Sequence, residues 1–159
     1  HQNGFELPPN FRLINGRDYP VVKQLQSVVF KRGKANSDDV LCIDRPYLPW
    51  ETKAIIGKFD MFITGRVHGF VAAVSQNVPT VLITRGYGPV SHRNIGFARS
   101  VGLENYIANP RSAEDLKRKI EECFANLSAL REYLRLQVPM VQDTARKTFD
   151  ILPEVLFGE

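Results

Sequence analysis

The segment DMFITGRVHGFVAAVSQNVPTVLI, residues 60–83, most narrows what this chain can become. An apolar run of strand length, residues 61–64, ends at a Gly-Arg-x-His-Gly turn. Apolar residues then continue from Val67 to Gln76, where Asn77 suits a helix end and Pro79 forbids continuation. A second apolar run, TVLIT, follows at once. Strand, helix and strand in this order, with strands apolar on both faces, predict parallel neighbours covered by helices.

The rest of the chain extends that unit. Residues 1–17 are rich in turn formers, an irregular segment around one possible short strand at residues 11–14. From residue 18 to 159 the pattern predicts a single Rossmann-like α/β domain closed by C-terminal helices. Asp18 is a candidate N-cap, with Pro20 in the first turn. Val21, Leu25, Val28 and Val29 then recur at helical spacing, and Gly33 supplies the stop. VLCID, residues 40–44, reads as a buried strand. Pro49 opens a helix with Ile55, Ile56 and Phe59 on its apolar face. RGYGPVSHRN, residues 85–94, reads as a loop, IGFARSVGL as a short helix and ENYI as a strand. Ser112 with Asp115 signals the next helix start. A last helical region from about Ser128 to Leu152 should be kinked or split at Pro139. The helix from Val67 to Gln76, apolar on nearly every face, should lie buried in the middle of the domain.

Charge and composition bound the function. The 159 residues carry 21 Lys and Arg against 17 Asp and Glu, a formal net charge of +4. No basic run exceeds a few residues, so on charge a phosphorylated or carboxylated small molecule fits as well as nucleic acid does, and no nucleic-acid partner is expected. Two cysteines, Cys42 and Cys123, sit in apolar segments and read as small buried hydrophobes, which suits a reducing, cytoplasmic setting. No apolar stretch reaches the roughly 18 residues of a membrane span. Neither a resident cofactor nor a metal cluster is read from the sequence.

In an open parallel sheet, ligands bind beyond the carboxyl ends of the strands. Three loops are predicted to leave such ends. DRPYLPWE carries Arg45 and Glu51. GRVHG carries Gly65, Arg66, His68 and Gly69. RGYGPVSHRN carries Arg85, Tyr87, His92 and Arg93. The second loop also opens a helix, whose free N–H groups and dipole make an anion pocket. Gly65 permits the sharp turn and Gly69 a close approach. Arg66 can grip a carboxylate or phosphate through two parallel hydrogen bonds. His68 has the side chain suited to general acid or base work near neutrality.

These residues also carry a resemblance. PWETKAIIGKFDMFITGRVHGFVAAVSQNVPTVLI resembles the signature of the polysaccharide pyruvyl transferase family: Glu51, Lys53, Ile56 and Gly57, then Asp60, Arg66 and His68, then Val78, Pro79 and Thr80. GFARSVGLENYI resembles the family's following helix and strand. The resemblance covers about residues 18–152. It implies the C-terminal half of a two-domain GT-B-like enzyme, so that this chain is a piece lacking its N-terminal domain. It implies transfer of a pyruvyl group from phosphoenolpyruvate, a donor substrate rather than a cofactor, onto a saccharide acceptor as a cyclic ketal. Arg66 and His68 map to the family's donor-binding and acid-catalytic pair, with Glu51, Arg85, His92 and Arg93 as further substrate contacts. The chain departs from the family after Thr84. The loop is longer and lacks the usual Lys, leaving His92 or Arg93 to replace it. A GT-B glycosyltransferase or epimerase using a nucleotide sugar, and a non-catalytic anion- or sugar-binding module, are the alternatives.

Overall fold

The computed structural model describes residues 3–5, 13–15, 19–33, 35–43, 45, 47–84 and 89–158. The chain divides into two compact units, His1–Thr52 and Lys53–Glu159.

In the first unit, strands β1 (Asn3–Phe5) and β2 (Leu13–Asn15) pair antiparallel, with Gly4 opposite Ile14. Helix α1 (Tyr19–Lys31) has Pro20 in its first turn and ends before Gly33, whose φ of +62° only glycine adopts without strain. Asp18, the expected cap, lies outside the described residues. The run at residues 40–43 is not a strand. One 3-10 turn, Ser37–Asp39, leads into it, and Leu41 is exposed. Instead of joining a ladder, Val40 and Cys42 help line an apolar hollow with Val22, Leu25 and Val29 of α1, and Gln26 Nε2 donates to the Val40 carbonyl at 3.3 Å. A short apolar run can be covered by a helix as well as by a sheet, and periodicity does not separate the two. Cys42 is half-buried, less enclosed than its apolar neighbours suggest.

Helix α2 (Pro49–Ile56) carries the chain across the unit boundary. The second unit is α/β. Strands β3 (Phe62–Thr64), β4 (Thr80–Ile83) and β5 (Ile107–Ala108) form a parallel sheet in the order β3-β4-β5. The register sets Phe62 against Thr80 and Leu82 against Ile107. Between the strands run α3 (Val67–Val74) and α4 (Pro89–Ser100), followed after the sheet by α5 (Ala113–Ala125) and α6 (Leu127–Phe157).

The core gathers Phe70 and Val74 of α3, Val81 and Leu82 of β4, Ala98 of α4, and Leu130, Leu134 and Val138 of α6. Burying apolar area of this kind is the main force holding the unit together, at about 25 cal/mol per Å². Cys123 joins it fully buried, and burial pushes its thiol up to about 11. Helices α3 and α4 each end on a left-handed residue. After α3, Asn77 (φ +59°) lets Val78 N–H reach back to Ala73 at 3.0 Å. After α4, Gly102 (φ +68°) lets Leu103 N–H reach Ala98 at 2.7 Å.

Three expectations are corrected. Residues Glu104–Tyr106 form a 3-10 turn, and the strand begins only at Ile107. Helix α6 runs unbroken through Pro139. Pro139 and Arg135, whose carbonyl loses its helical partner to the proline, both lie on the exposed side of the helix, while Leu134 and Val138 stay anchored in the core. Helix α3 is not buried all round. Phe70, Ala73 and Val74 face the core at helical spacing, whereas His68 and Val71 face solvent.

A Cβ at position 102 would both strain the backbone and run into the Tyr133 hydroxyl of α6. Gly102→Ala is therefore expected to lower unfolding free energy by about 1–3 kcal/mol. Urea denaturation reads this directly, and an unchanged midpoint would mean that the α4 end is not fixed as described.

Candidate functional site

Because β3 and β4 are parallel neighbours, the helices that follow them start at the same edge of the sheet. The α3 start is built from β3 outward. Thr64, the last residue of β3, is buried, and its hydroxyl accepts from Arg66 N–H at 3.0 Å. Gly65 turns the chain with its Cα side against the Ile83 carbonyl of β4, 3.5 Å from where a Cβ would stand. Arg66 is the N-cap residue, and no side chain caps the helix there. Its carbonyl takes the first helical bond, from Phe70 N–H at 3.0 Å. The first-turn N–H groups of Val67, His68 and Gly69 thus point toward the edge, at the positive end of the helix dipole. The side chains of Arg66 and His68 are both exposed.

The α4 start brings a second set. The sequence reading placed His92 and Arg93 in a loop, but α4 begins at Pro89, six residues before the expected Ile95. Proline at the first helical position has a fitting φ and needs no N–H partner, so the Gly-Pro pair here marks a helix start. His92 and Arg93 lie in the second turn of that helix, exposed, on the same sheet edge as Arg66 and His68. Arg85 and Tyr87 lie outside the described residues.

Glu51 and Arg45 belong to the first unit and follow no sheet strand. The Glu51 carboxylate accepts Leu48 N–H at 2.8 Å, with Pro49 as the first helical residue. This is the reciprocal half of a capping box, fixing the start of α2. Arg45 lies over the Tyr47 ring, 4.5 Å from its centroid.

Other residues of the signature are engaged in packing. Gly57 ends α2 and lies so close to Gln76 that a Cβ would meet its amide at 2.7 Å, and Gln76 donates to the Lys53 carbonyl. Asp60 lies 3.8 Å from Arg131 of α6, which also donates to the Phe59 carbonyl at 3.2 Å. Val78, Pro79 and Thr80 are buried, with the Thr80 hydroxyl donating to Val78 at 2.8 Å. Arg66 and His68 are set at the helix start and are exposed. Sequence reasoning missed Thr64, whose hydroxyl fixes the turn, and Asn94 of α4, which is 3 % exposed. A Thr ending a strand two residues before a helix was the signal for the first, and the i, i+4 spacing of Asn94 and Ala98 for the second.

Charge is segregated along the chain. Between Asp60 and Glu104 there is no acidic residue, while Arg66, Arg85, Arg93 and Arg99 all fall there. The whole formal net charge of +4 resides in this segment, and the remainder of the chain balances to zero. Among the described residues no group of three His, Cys, Asp or Glu side chains is placed to hold a metal ion. Nor is any helix among them long and apolar enough to cross a membrane.

The Gly69 turn is tight. A Cβ there would stand 3.0 Å from Thr64 Oγ1 and 3.3 Å from the Phe62 ring. Gly69→Ala is expected to push Thr64 off Arg66 N–H and to weaken anion binding about tenfold. Its cost in unfolding free energy should be smaller, about 1 kcal/mol. Equal phosphate affinity in Gly69→Ala and wild type, measured by calorimetry, would show that the α3 start is not the anion pocket.

Comparison with curated proteins and with solved structures gives no match. The model of one family, polysaccharide pyruvyl transferase, matches residues 9–87. That segment takes in the Glu51–Gly57 stretch, the Arg66–His68 turn and the whole of the β3-α3-β4 unit, and it carries the general activity of a transferase acting on polysaccharide. Through it, the chain belongs to the polysaccharide pyruvyl transferase family.

Proposed function

We propose that this chain is the donor-binding half of a pyruvyl transferase that moves the pyruvyl group of phosphoenolpyruvate onto a sugar or polysaccharide precursor. The observation that carries this reading is the α3 start. Arg66 and His68 are exposed at an uncapped helix N-terminus, inside the acid-free segment that holds the chain's entire net charge. Phosphoenolpyruvate brings two anionic groups, a carboxylate and a phosphate, on one enol carbon. The α3 N–H groups and the Arg66 guanidinium hold one of them. His92 and Arg93 of α4 supply positive charge for the other, with Arg85, four residues before α4 in the sequence, as a further source.

The reaction then needs a proton and a nucleophile. Protonated His68 gives its proton to the methylene carbon, leaving an oxocarbenium-like centre at the carbon that bears the phosphate. An acceptor hydroxyl forms a C–O bond to that centre and releases its proton. The C–O bond to phosphate breaks, inorganic phosphate leaves, and a second hydroxyl of the acceptor closes the cyclic ketal. Atoms balance as donor plus diol giving ketal plus phosphate. Positive charge fixed at the sheet edge stabilises the departing phosphate as its negative charge grows. Glu51 enters this scheme as the residue that fixes the start of α2.

The small parallel sheet flanked by helices suits the C-terminal half of a GT-B-like enzyme. In that architecture an N-terminal domain closes the cleft and brings the acceptor. Unpaired cysteines suit the reducing cytoplasm as its compartment.

A ligand that binds only the folded chain raises its apparent stability, by about 2.7 kcal/mol at a hundred times Kd. Phosphoenolpyruvate is expected to raise the melting temperature of wild type and to leave Arg66→Ala unmoved. A shift with UDP or UDP-sugars but none with phosphoenolpyruvate would overturn this reading in favour of a nucleotide-sugar enzyme. In turnover assays with the N-terminal domain present, His68→Ala is expected to lose about 10²–10⁴-fold in rate, the usual contribution of a general acid. Full turnover by that variant would remove His68 from the chemistry.

A further inference from the structure

Asn94 lies on the core-facing stripe of α4, in line with Ala98 and Val101, and is 3 % exposed. Among the described residues its side-chain oxygen has no hydrogen-bond partner. An apolar side chain at this place would fill the same stripe without leaving a carbonyl unsatisfied, and buried polar groups are otherwise almost always paired. Stability does not account for an amide here.

Its position in the fold does. Helices α3 and α4 both run away from the carboxyl edge of the sheet, so they lie parallel. They touch through Phe70 and Phe97, whose rings meet edge to face with centroids 5.4 Å apart. One helical turn back from that contact toward the edge are Arg66 and Val67 on α3, and Arg93 and Asn94 on α4. The unpaired amide therefore stands level with the N-cap of α3, next to the anion pocket.

We propose that Asn94 is a binding residue of this edge site, its side-chain carbonyl accepting a hydrogen bond from a hydroxyl of the saccharide ligand. The assignment rests on the anion site proposed above and extends it to the second substrate. A carbonyl oxygen needs a donor. Ionised phosphate and carboxylate groups offer only acceptors, whereas saccharides are rich in O–H groups. From this level on α4, that carbonyl orients the hydroxyl beside the carbon held at Arg66 and the α3 start. A site built to bond a hydroxyl discriminates strongly against ligands that lack it.

Galactose 1-phosphate carries the phosphate and the hydroxyls in one molecule, and inorganic phosphate carries the first alone. Calorimetric titration of both ligands into wild type, Asn94→Leu and Asn94→Ala separates the two contributions. Wild type is expected to bind the sugar phosphate at least tenfold tighter than phosphate. Both variants should keep the phosphate affinity and lose that preference. Asn94→Leu should melt at or above the wild-type temperature, since it removes an unpaired buried carbonyl. If the preference persists in both variants, or is absent from wild type while phosphate still binds, Asn94 is not a ligand contact. A fall in melting temperature in both variants with the preference intact would show that the amide serves the fold. Absence of phosphate binding to wild type would overturn the anion site itself, and the Asn94 assignment with it.

Discussion

Parallel pairing of β3 with β4 is the constraint on which the rest of the second unit depends. Only three pairs of residues carry it, Phe62 with Thr80, Ile63 with Val81 and Thr64 with Leu82. A parallel pair cannot be joined by a tight hairpin, so the chain must cross the full length of the sheet before it returns. The crossing is α3, and its start is thereby fixed at the carboxyl end of β3. The same geometry applied to β4 fixes the start of α4 on that edge. Two helix starts come together on one edge as a consequence of strand direction.

Residues around this unit divide into those that hold the geometry and those that use it. Gly57, Gln76, Asn77 and the buried run from Val78 to Thr80 allow α2, α3 and β4 to approach closely. Arg131 ties the turn before β3 to the long α6. Thr64 spends its hydroxyl on the Arg66 backbone and so sets where the helix begins. With the backbone held this way, the Arg66 and His68 side chains stand exposed at the start of α3. Side chains of this chemistry set on a rigid element are the expected arrangement for a preorganised site.

The β3-α3-β4 unit was legible in the sequence because its signals are redundant. Two apolar runs, a glycine turn, an asparagine stop and a proline all point one way. The same redundancy placed Gly65, Arg66, His68 and Gly69 at a helix start and brought the family into view. Single-signal elements failed. Residues 40–43 have strand composition, but α1 covers them and no ladder takes them up. The stretch before Ile95 has weak helix formers and a Gly-Pro pair, so it reads as loop. In the fold Pro89 begins a helix whose inner face reaches the core through Asn94 and Ala98. That error mattered for the site, because a loop places His92 and Arg93 nowhere in particular while a helix places them on a defined edge. Glu51 shows the converse: Pro49 opens α2 as its position predicts, which sets Glu51 three residues past Leu48, where its carboxylate accepts the Leu48 N–H and serves the helix start.

The electrostatics of the edge give the fold its direction. Each helix start carries the equivalent of about half a positive charge. Two of them share this edge, where Arg66, His68, His92 and Arg93 also lie, and the segment between Asp60 and Glu104 has no acid. Elsewhere the chain pairs its charges locally, as along α5, where Arg118 bridges Asp115 and Glu122. At the edge, by contrast, two positive helix ends and the basic side chains gather with no acid from their own segment beside them. This argues for a ligand of more than one negative charge, since two helix starts on neighbouring strands can each face a separate anionic group. A small molecule with two such groups on one carbon matches that spacing better than a single carboxylate does, and it leaves the hydroxyl-bearing partner to be read by a neutral group such as Asn94.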